Sequence, residues 1–221
     1  MLNYRCLVLD HDDTVVRSAE TVNYPAMLDA LKLMRPGKTI SYRDFMVKCF
    51  EQDFFAMCRE MFDFTKEEID YEFELWKAYV RTHIPPAYEG MASLLSRFRE
   101  EGGIVCVSSH SGIENITRDY KLHFGFVPDQ IFGWELLEKR KPHPFALEEI
   151  MRIYHLQPHE LLMVDDMRTG LHMAQACSVP FACAGWSHAD PAISSVMRRE
   201  CETYLESVDE LEKFIFRQDT P

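Results

Sequence analysis

The chain has 221 residues, of which 47% are hydrophobic, so it can bury either one large domain or a core with a modest insertion. Its formal net charge is −12, and this field repels nucleic-acid backbones and anionic membrane surfaces. The seven cysteines are scattered and contain no C-x-x-C pair, which favours free thiols in a reducing compartment. No signal-peptide pattern and no apolar run of about 18 residues is present, so we expect a cytoplasmic protein without nucleic-acid or membrane partners.

Four short, continuously apolar runs are typical of buried parallel strands. They are residues 4–9, 104–108, 161–164 and 180–184. Helical patterns lie between them, at residues 91–101, 144–154 and 169–177. This alternation predicts an α/β fold with a doubly wound, mostly parallel sheet, and such sheets bind ligands at the carboxyl ends of their strands.

The interval between the first and second strands contains only helical patterns. The spacing of its apolar residues predicts helices at 24–34 and 45–61. Thr65 and Glu68 form a capping-box signature that begins a third helix, through 69–79.

The proline pair at 85–86 ends this interval, because proline cannot continue a helix. We therefore predict a helical domain at 16–86, inserted into a core formed by 1–15 and 87–221. A last helix, capped at its first residue, is predicted at 207–216.

Two of the predicted strands run directly into clustered acids. Asp10, Asp12 and Asp13 follow the first strand, and Asp165 and Asp166 follow the third. Like charges so close are costly without a cation, and Mg²⁺ prefers carboxylate oxygens that it shares with a substrate phosphate. The two strand ends therefore predict a magnesium site. The alternatives are a solvated acidic turn after the first strand and a helix N-cap after the third.

Two further loops carry groups suited to phosphate. Ser108 ends the second strand, and its hydroxyl and the amides that follow can bind phosphoryl oxygens. Lys141 lies in the basic loop before the helix at 144–154, where it can neutralise developing charge. Taken separately, Ser108 is more typical of a strand cap, and Lys141 is more typical of a solvated loop.

Together, in this order, the four motifs resemble those of the haloacid-dehalogenase-like (HAD) superfamily over nearly the whole chain. Asp10, Asp12 and Thr14 match the first motif of that family, D-x-D-x-[TV]. Ser108 matches the second motif, and Lys141 begins a K-P-x-P sequence that matches the third.

The fourth motif is similar to that of the β-phosphoglucomutase and phosphoglycolate-phosphatase-like branch. Asp165 and Asp166 stand in register with Gly170 and Ala174 of that pattern. The helical insertion looks like the α-helical cap of the same branch, so the resemblance implies a HAD-like Rossmannoid core with an inserted cap.

The resemblance implies a Mg²⁺-dependent phosphatase that hydrolyses a small phosphorylated metabolite through an aspartyl-phosphate intermediate. Asp10 would be the nucleophile, and Asp12 would be the general acid/base. The implied metal ligands are Asp10, the backbone carbonyl of Asp12, Asp166 and, directly or through water, Asp165. The groups implied to hold the substrate are Thr14, Ser108, the amide of Ser109, and Lys141.

The chain departs from the family pattern at positions that leave these groups in place. His11 stands where an apolar residue is usual, Asp13 replaces a common glycine, Arg17 a frequent aspartate, and Ser178 a glycine. Both His11 and His110 could reach the pocket or serve only in packing.

Two other functions are compatible with the motifs. A phosphomutase of the β-phosphoglucomutase type would return the phosphoryl group to the substrate, and a non-catalytic binding protein would share the fold alone. Haloacid dehalogenation is disfavoured, because those enzymes lack the second aspartate that Asp12 supplies. The motifs leave the identity of the phosphate ester and the choice between monomer and homodimer open.

Overall fold

A computed structural model of the chain describes residues 1–217 and divides it into two compact units. Within the described residues, one unit comprises Met1–Val16 and residues 87–217, and the other is Arg17–Pro86. The first unit holds a six-stranded sheet, and the second contains four α-helices. The Arg17 amide donates to the Pro86 carbonyl at 2.9 Å, so a main-chain hydrogen bond joins the two ends of the helical unit.

The sheet confirms the predicted α/β class. Its strands are β1 (Cys6–Leu9), β2 (Ile104–Ser108), β3 (Gln130–Phe132), β4 (Leu161–Asp165), β5 (Phe181–Ala184) and β6 (Tyr204–Leu205). They pair in parallel throughout, in the order β3-β2-β1-β4-β5-β6. Leu9 lies beside Val107 on one side and Val164 on the other, so the residues that follow β1, β2 and β4 meet at one edge.

The α-helices are α1 (Tyr24–Met34), α2 (Tyr42–Glu51), α3 (Phe54–Phe62), α4 (Lys66–Thr82), α5 (Met91–Glu100), α6 (Ile113–Phe124), α7 (Phe145–Tyr154), α8 (Arg168–Ala176), α9 (Pro191–Glu200) and α10 (Val208–Ile215). Short irregular helical turns occur at Ala19–Asn23, Trp134–Lys139, Pro158–Glu160 and Gly185–Ser187. No helix within residues 1–217 is both long and apolar enough to cross a bilayer.

Alternate residues of the central strands face two separate cores, as a doubly wound sheet requires. Leu7 and Leu9 pack with residues of α5, α6 and α10. Cys6 and Val8 face the opposite side, where α7 and α8 supply the core. Helices cover both faces, so every residue of β1 and β4 is buried.

Several predicted elements differ from the structure. The helix predicted at 45–61 is two helices, because Gln52 is extended and the Asp53 side chain accepts a hydrogen bond from the Ala56 amide at 2.7 Å, which begins α3. Helices α6 and α9 and strands β3 and β6 were not predicted from the sequence. The two strands have only three and two residues, too few for a recognisable pattern.

The predicted helix starts agree with local capping chemistry. The Thr65 side chain accepts from the Glu68 amide, and the Glu68 carboxylate accepts from the Thr65 amide, so the capping box at the start of α4 is confirmed. Ser207 likewise accepts from the Glu210 amide at the start of α10.

Candidate active site

Three buried carboxylates meet at the carboxyl edge of the sheet. Asp10 follows β1, Asp165 ends β4 and Asp166 follows it. One carboxylate oxygen of each lies within 4.8 Å of the others. The Asp10 amide donates to the Val164 carbonyl at 2.9 Å, so the pairing of β1 with β4 continues one residue past the strand and sets this spacing.

The electrostatics of this cluster suit a divalent cation. Burial raises the pKa of Asp166 well above its usual range, and the charges of Asp165 and Asp10 add to the effect. Among the described residues, Asp166 Oδ1 is buried without a hydrogen-bond partner. A hard cation such as Mg²⁺ takes oxygen ligands of this kind and would stabilise the ionised carboxylates. The residues present therefore fit the ion that the sequence implies.

Lys141 links two of these acids. Its Nζ lies 2.8 Å from Asp10 Oδ1 and donates a hydrogen bond to Asp165 Oδ2. Burial lowers the pKa of Lys141, but the charges of Asp10 and Asp165 outweigh this, so the pKa is raised overall and the amine stays protonated. A buried cation thus lies directly beside the predicted nucleophile.

The two acids after β4 have different surroundings. Asp165 Oδ1 accepts from the Met167 amide at 2.7 Å, and its other oxygen accepts from Lys141, so both oxygens are engaged. Burial raises the pKa of Asp165 to about 7, although Lys141 opposes the shift. Asp165 thus orients Lys141 and the start of α8, whereas Asp166 offers an unpartnered oxygen.

Gly170 is needed for this arrangement. A Cβ at Gly170 would lie 2.3 Å from Asp165 Oδ2, closer than real Cβ contacts occur. The absence of a side chain lets α8 pass against the Asp165 carboxylate. Its place in the fourth motif therefore has a steric reason that the sequence pattern did not state.

The turn after β1 explains one departure from the family pattern. Asp13 has φ +55°, in the left-handed region where glycine is common and aspartate is tolerated. The turn closes through the His11 carbonyl, which accepts from the amides of Val15 and Val16 at 3.0 and 3.1 Å. The Asp13 amide donates back to the Val16 carbonyl at 2.7 Å. Aspartate can therefore replace glycine without changing the turn that carries Asp12.

The Ser109 amide has a main-chain partner that the sequence did not predict. Ser108 and Ser109 are both buried at the end of the strand. The Ser109 amide, predicted to bind a phosphoryl oxygen, donates to the Phe132 carbonyl at 2.9 Å. The reason is that β3 pairs with β2 up to this point, and the sequence did not predict β3. The Ser109 amide therefore has a main-chain partner, and its contact with a phosphoryl oxygen stays a prediction.

Two further groups of the predicted site lie on the first-motif turn. Thr14 is fully buried, and its hydroxyl has no hydrogen-bond partner among residues 1–217. Its carbonyl accepts from the Trp186 indole at 3.1 Å. The Asp12 carboxylate accepts a hydrogen bond from the hydroxyl of Ser111, a residue that the sequence analysis did not single out. The signal available was the sequence S-S-H-S, which begins at the last residue of β2 and carries three hydroxyls.

Both histidines near the motifs have protein partners. His11 Nε2 lies 3.1 Å from Asp119 Oδ2, with both side chains buried. Arg118 Nε donates to the other Asp119 oxygen at 2.7 Å. His110 Nε2 is hydrogen-bonded to the Lys141 carbonyl at 3.0 Å, and burial, followed by the charge of Lys141, lowers the pKa of His110. These contacts favour a packing role over a pocket role for each.

Comparisons with known proteins identify a matching family and similar solved structures. A family model described as haloacid dehalogenase-like hydrolase matches residues 7–184. No curated protein sequence matches the chain. A structure from Lactobacillus delbrueckii subsp. bulgaricus, described as a candidate phosphoglycolate phosphatase, is 14% identical with a TM-score of 0.79, covering 98% of this chain and 100% of that one.

Two other similar structures contain ligands. A HAD family hydrolase from Deinococcus radiodurans with bound phosphate and sodium is 18% identical, with a TM-score of 0.73, over 95% of this chain and 93% of that one. A mutant of CbbY from Rhodobacter sphaeroides in complex with xylulose-1,5-bisphosphate is 14% identical, with a TM-score of 0.69, over 94% of this chain and 96% of that one. These structures share the fold, and the family model covers most of the sequence. The chain therefore belongs to the haloacid dehalogenase-like hydrolases.

Proposed function

We propose that this hydrolase is a Mg²⁺-dependent phosphatase that hydrolyses a small phosphorylated metabolite through an aspartyl-phosphate on Asp10. The observation that carries the proposal is the buried cluster of Asp10, Asp165 and Asp166 with Lys141 bonded to two of its members. Similar structures that hold phosphate or a sugar bisphosphate support a phosphate ester as the substrate class.

The reaction proceeds in two transfers. Asp10 attacks the phosphorus, the bond from phosphorus to the leaving oxygen breaks, and Asp12 donates a proton to that oxygen. Water then attacks the phosphorus of the aspartyl-phosphate while Asp12 takes a proton from it. The bond from phosphorus to Asp10 breaks, which releases inorganic phosphate and restores the carboxylate.

The other residues of the site would offset the repulsion between the Asp10 carboxylate and the phosphate dianion. Asp10, Asp166 and the carbonyl of Asp12 would hold Mg²⁺, with Asp165 as a second or water-mediated ligand. The ion, when bound, supplies positive charge between the Asp10 carboxylate and a dianionic phosphate. Lys141 supplies a second cation there, and the hydroxyls of Ser108 and Thr14 are the remaining groups proposed to hold the phosphoryl group.

The helical unit, Arg17–Pro86, would be the cap domain of the family and would select the substrate. We therefore expect turnover of sugar phosphates, phosphoglycolate or nucleoside monophosphates, and poor release of phosphate from phosphoproteins. Efficient dephosphorylation of a folded phosphoprotein would contradict the assignment of small substrates.

The direct test measures hydrolysis of p-nitrophenyl phosphate with Mg²⁺ and with a chelator. Asp10→Asn keeps the shape of the side chain but removes the nucleophile, so activity should be lost, whereas the exposed control Asp70→Asn should retain it. Full activity in chelator, or in Asp10→Asn, would refute the mechanism. With hexose monophosphates, isomer appearing faster than inorganic phosphate would show that the protein is a phosphomutase instead.

A further inference from the structure

Ser111 is a buried serine whose side chain contacts the proposed general acid/base. It is 5% exposed, and its hydroxyl donates a hydrogen bond to Asp12 Oδ2. A serine hydroxyl has a single proton to donate, and here that proton is given to the carboxylate. The contact joins residues 99 positions apart in the chain, so the tertiary fold creates it.

The main chain of Ser111 is held from both sides. Its amide donates to Ser109 Oγ at 3.2 Å, and its carbonyl accepts from the Trp134 amide at 2.9 Å. Two residues later, the amide of Ile113, the first residue of α6, donates to the Glu135 carboxylate at 3.0 Å. The hydroxyl is therefore presented from a segment anchored to the end of β2 and to the turn after β3, and it needs little reorganisation to meet Asp12.

Asp12, in contrast, is carried by a turn. It is only half-buried, and the residue after it is the left-handed Asp13. A carboxylate in such a position can rotate about its side-chain bonds, and general acid catalysis requires one of its oxygens at the leaving group. A donor that binds one oxygen restricts this rotation.

We propose that Ser111 is a positioning residue for Asp12, binding Oδ2 so that Oδ1 transfers the proton to the leaving oxygen and later takes one from water. The inference rests on the proposed function, because it assigns Ser111 a role only if Asp12 is the acid/base. Among the hydrogen bonds of residues 1–217, none joins Ser111 to Asp10 or to Lys141, so we expect its effect to be confined to proton transfer.

The test compares two aryl phosphates of similar shape, phenyl phosphate and p-nitrophenyl phosphate. The value of kcat/KM reports the steps up to formation of the aspartyl-phosphate, and only the poorer leaving group, phenolate, depends strongly on protonation. Ser111→Ala should lower kcat/KM for phenyl phosphate by roughly tenfold and for p-nitrophenyl phosphate by less than about threefold. Ser111→Thr retains a hydroxyl and should restore part of the loss, and the exposed control Ser93→Ala should change neither value.

A double-mutant cycle isolates the contact. In an Asp12→Asn background, Ser111→Ala should cause no further loss with phenyl phosphate, because the group that it positions has already been disabled. Equal losses for both substrates, or additive losses in the cycle, would overturn the role of Ser111. Thermal unfolding of each variant shows whether a loss of activity is caused by misfolding. If Ser111→Ala is misfolded, the comparison of the two aryl phosphates is made with Ser111→Thr instead.

Failure of the proposed function gives a different result. If the wild-type protein hydrolyses neither aryl phosphate, the phosphatase proposal fails. If Asp12→Asn retains full activity towards phenyl phosphate, the assignment of Asp12 fails. If the wild-type protein hydrolyses both aryl phosphates and Asp12→Asn loses activity towards phenyl phosphate, but the Ser111 variants show no dependence on the leaving group, only the positioning inference is refuted.

Discussion

Glu72 in the helical unit provides a quantitative test of burial that is independent of catalysis. It lies on α4, on the same buried face as Ile69 and Val80, and is 2% exposed. Burial raises the pKa of its carboxyl to about 7, from an ordinary value of 4.5. The folded protein therefore holds a proton on Glu72 over a pH range in which the unfolded chain has released it.

The sign of the effect follows from proton binding. Below pH 4.5 Glu72 is protonated in both the folded and the unfolded state, so its titration does not change the free energy of unfolding. Between pH 4.5 and about 7 the folded state binds the extra proton, so the free energy of unfolding falls as the pH rises. At about 1.4 kcal/mol per pH unit, the total loss is about 3 kcal/mol, and it remains in full above pH 7.

Glu72→Gln removes this titration. The variant and the wild-type protein should have similar free energies of unfolding at pH 4.5, and the variant should be about 3 kcal/mol more stable at pH 8. Denaturant unfolding followed by far-UV circular dichroism at both pH values measures the difference. Glu74→Gln, an exposed change on the same helix, is the matched control and should show little pH dependence. A Glu72→Gln effect of the same size at both pH values would refute the reasoning.

Three further predictions concern the core unit. Gly170→Ala places a Cβ against Asp165 and should destabilise the protein by about 1–3 kcal/mol while lowering phosphatase activity, which thermal unfolding and p-nitrophenyl phosphate assays measure. Asp119→Ala leaves a buried ring nitrogen of His11 without its hydrogen-bond partner and should cost about 1–3 kcal/mol in denaturant unfolding; a cost under about 0.5 kcal/mol would show that the pair is dispensable. Asp166→Asn should raise the Mg²⁺ concentration for half-maximal activity far more than Asp165→Asn, whose two oxygens are already hydrogen-bonded; equal increases would contradict this division.

The central strands were predictable because their signal is local. Strands β1, β2 and β4 lie inside the sheet and are covered on both faces, so each reads as a continuous apolar run. The edge strands β3 and β6 pair on one side only and are too short to leave such a run. Their existence depends on the neighbouring strand, and this is a tertiary property.

The boundary between helices α2 and α3 of the helical unit was also not predictable from the sequence. The apolar spacing from residue 45 to residue 61 continues in phase, and the sequence therefore favours one helix. The structure ends α2 at Glu51, and the Asp53 carboxylate caps the next helix. Aspartate is a strong N-cap, but its occurrence within a periodic pattern is not decisive without the direction of the following chain.

The acids, the serine and the lysine of the candidate site were recognisable from the sequence, because they follow strand and loop patterns that are local. Parallel strands bring their carboxyl ends to one edge of a sheet, so these groups were expected to meet there. The hydrogen-bond partners of these groups depend on contacts that form only in the folded protein. The tertiary structure committed the Ser109 amide to β3, engaged both oxygens of Asp165 while leaving one of Asp166 unpartnered, and placed Ser111 on Asp12. The partners in these contacts lie on different strands and loops, up to 99 positions apart, and hydrogen bonds over such separations leave no periodic trace in the sequence.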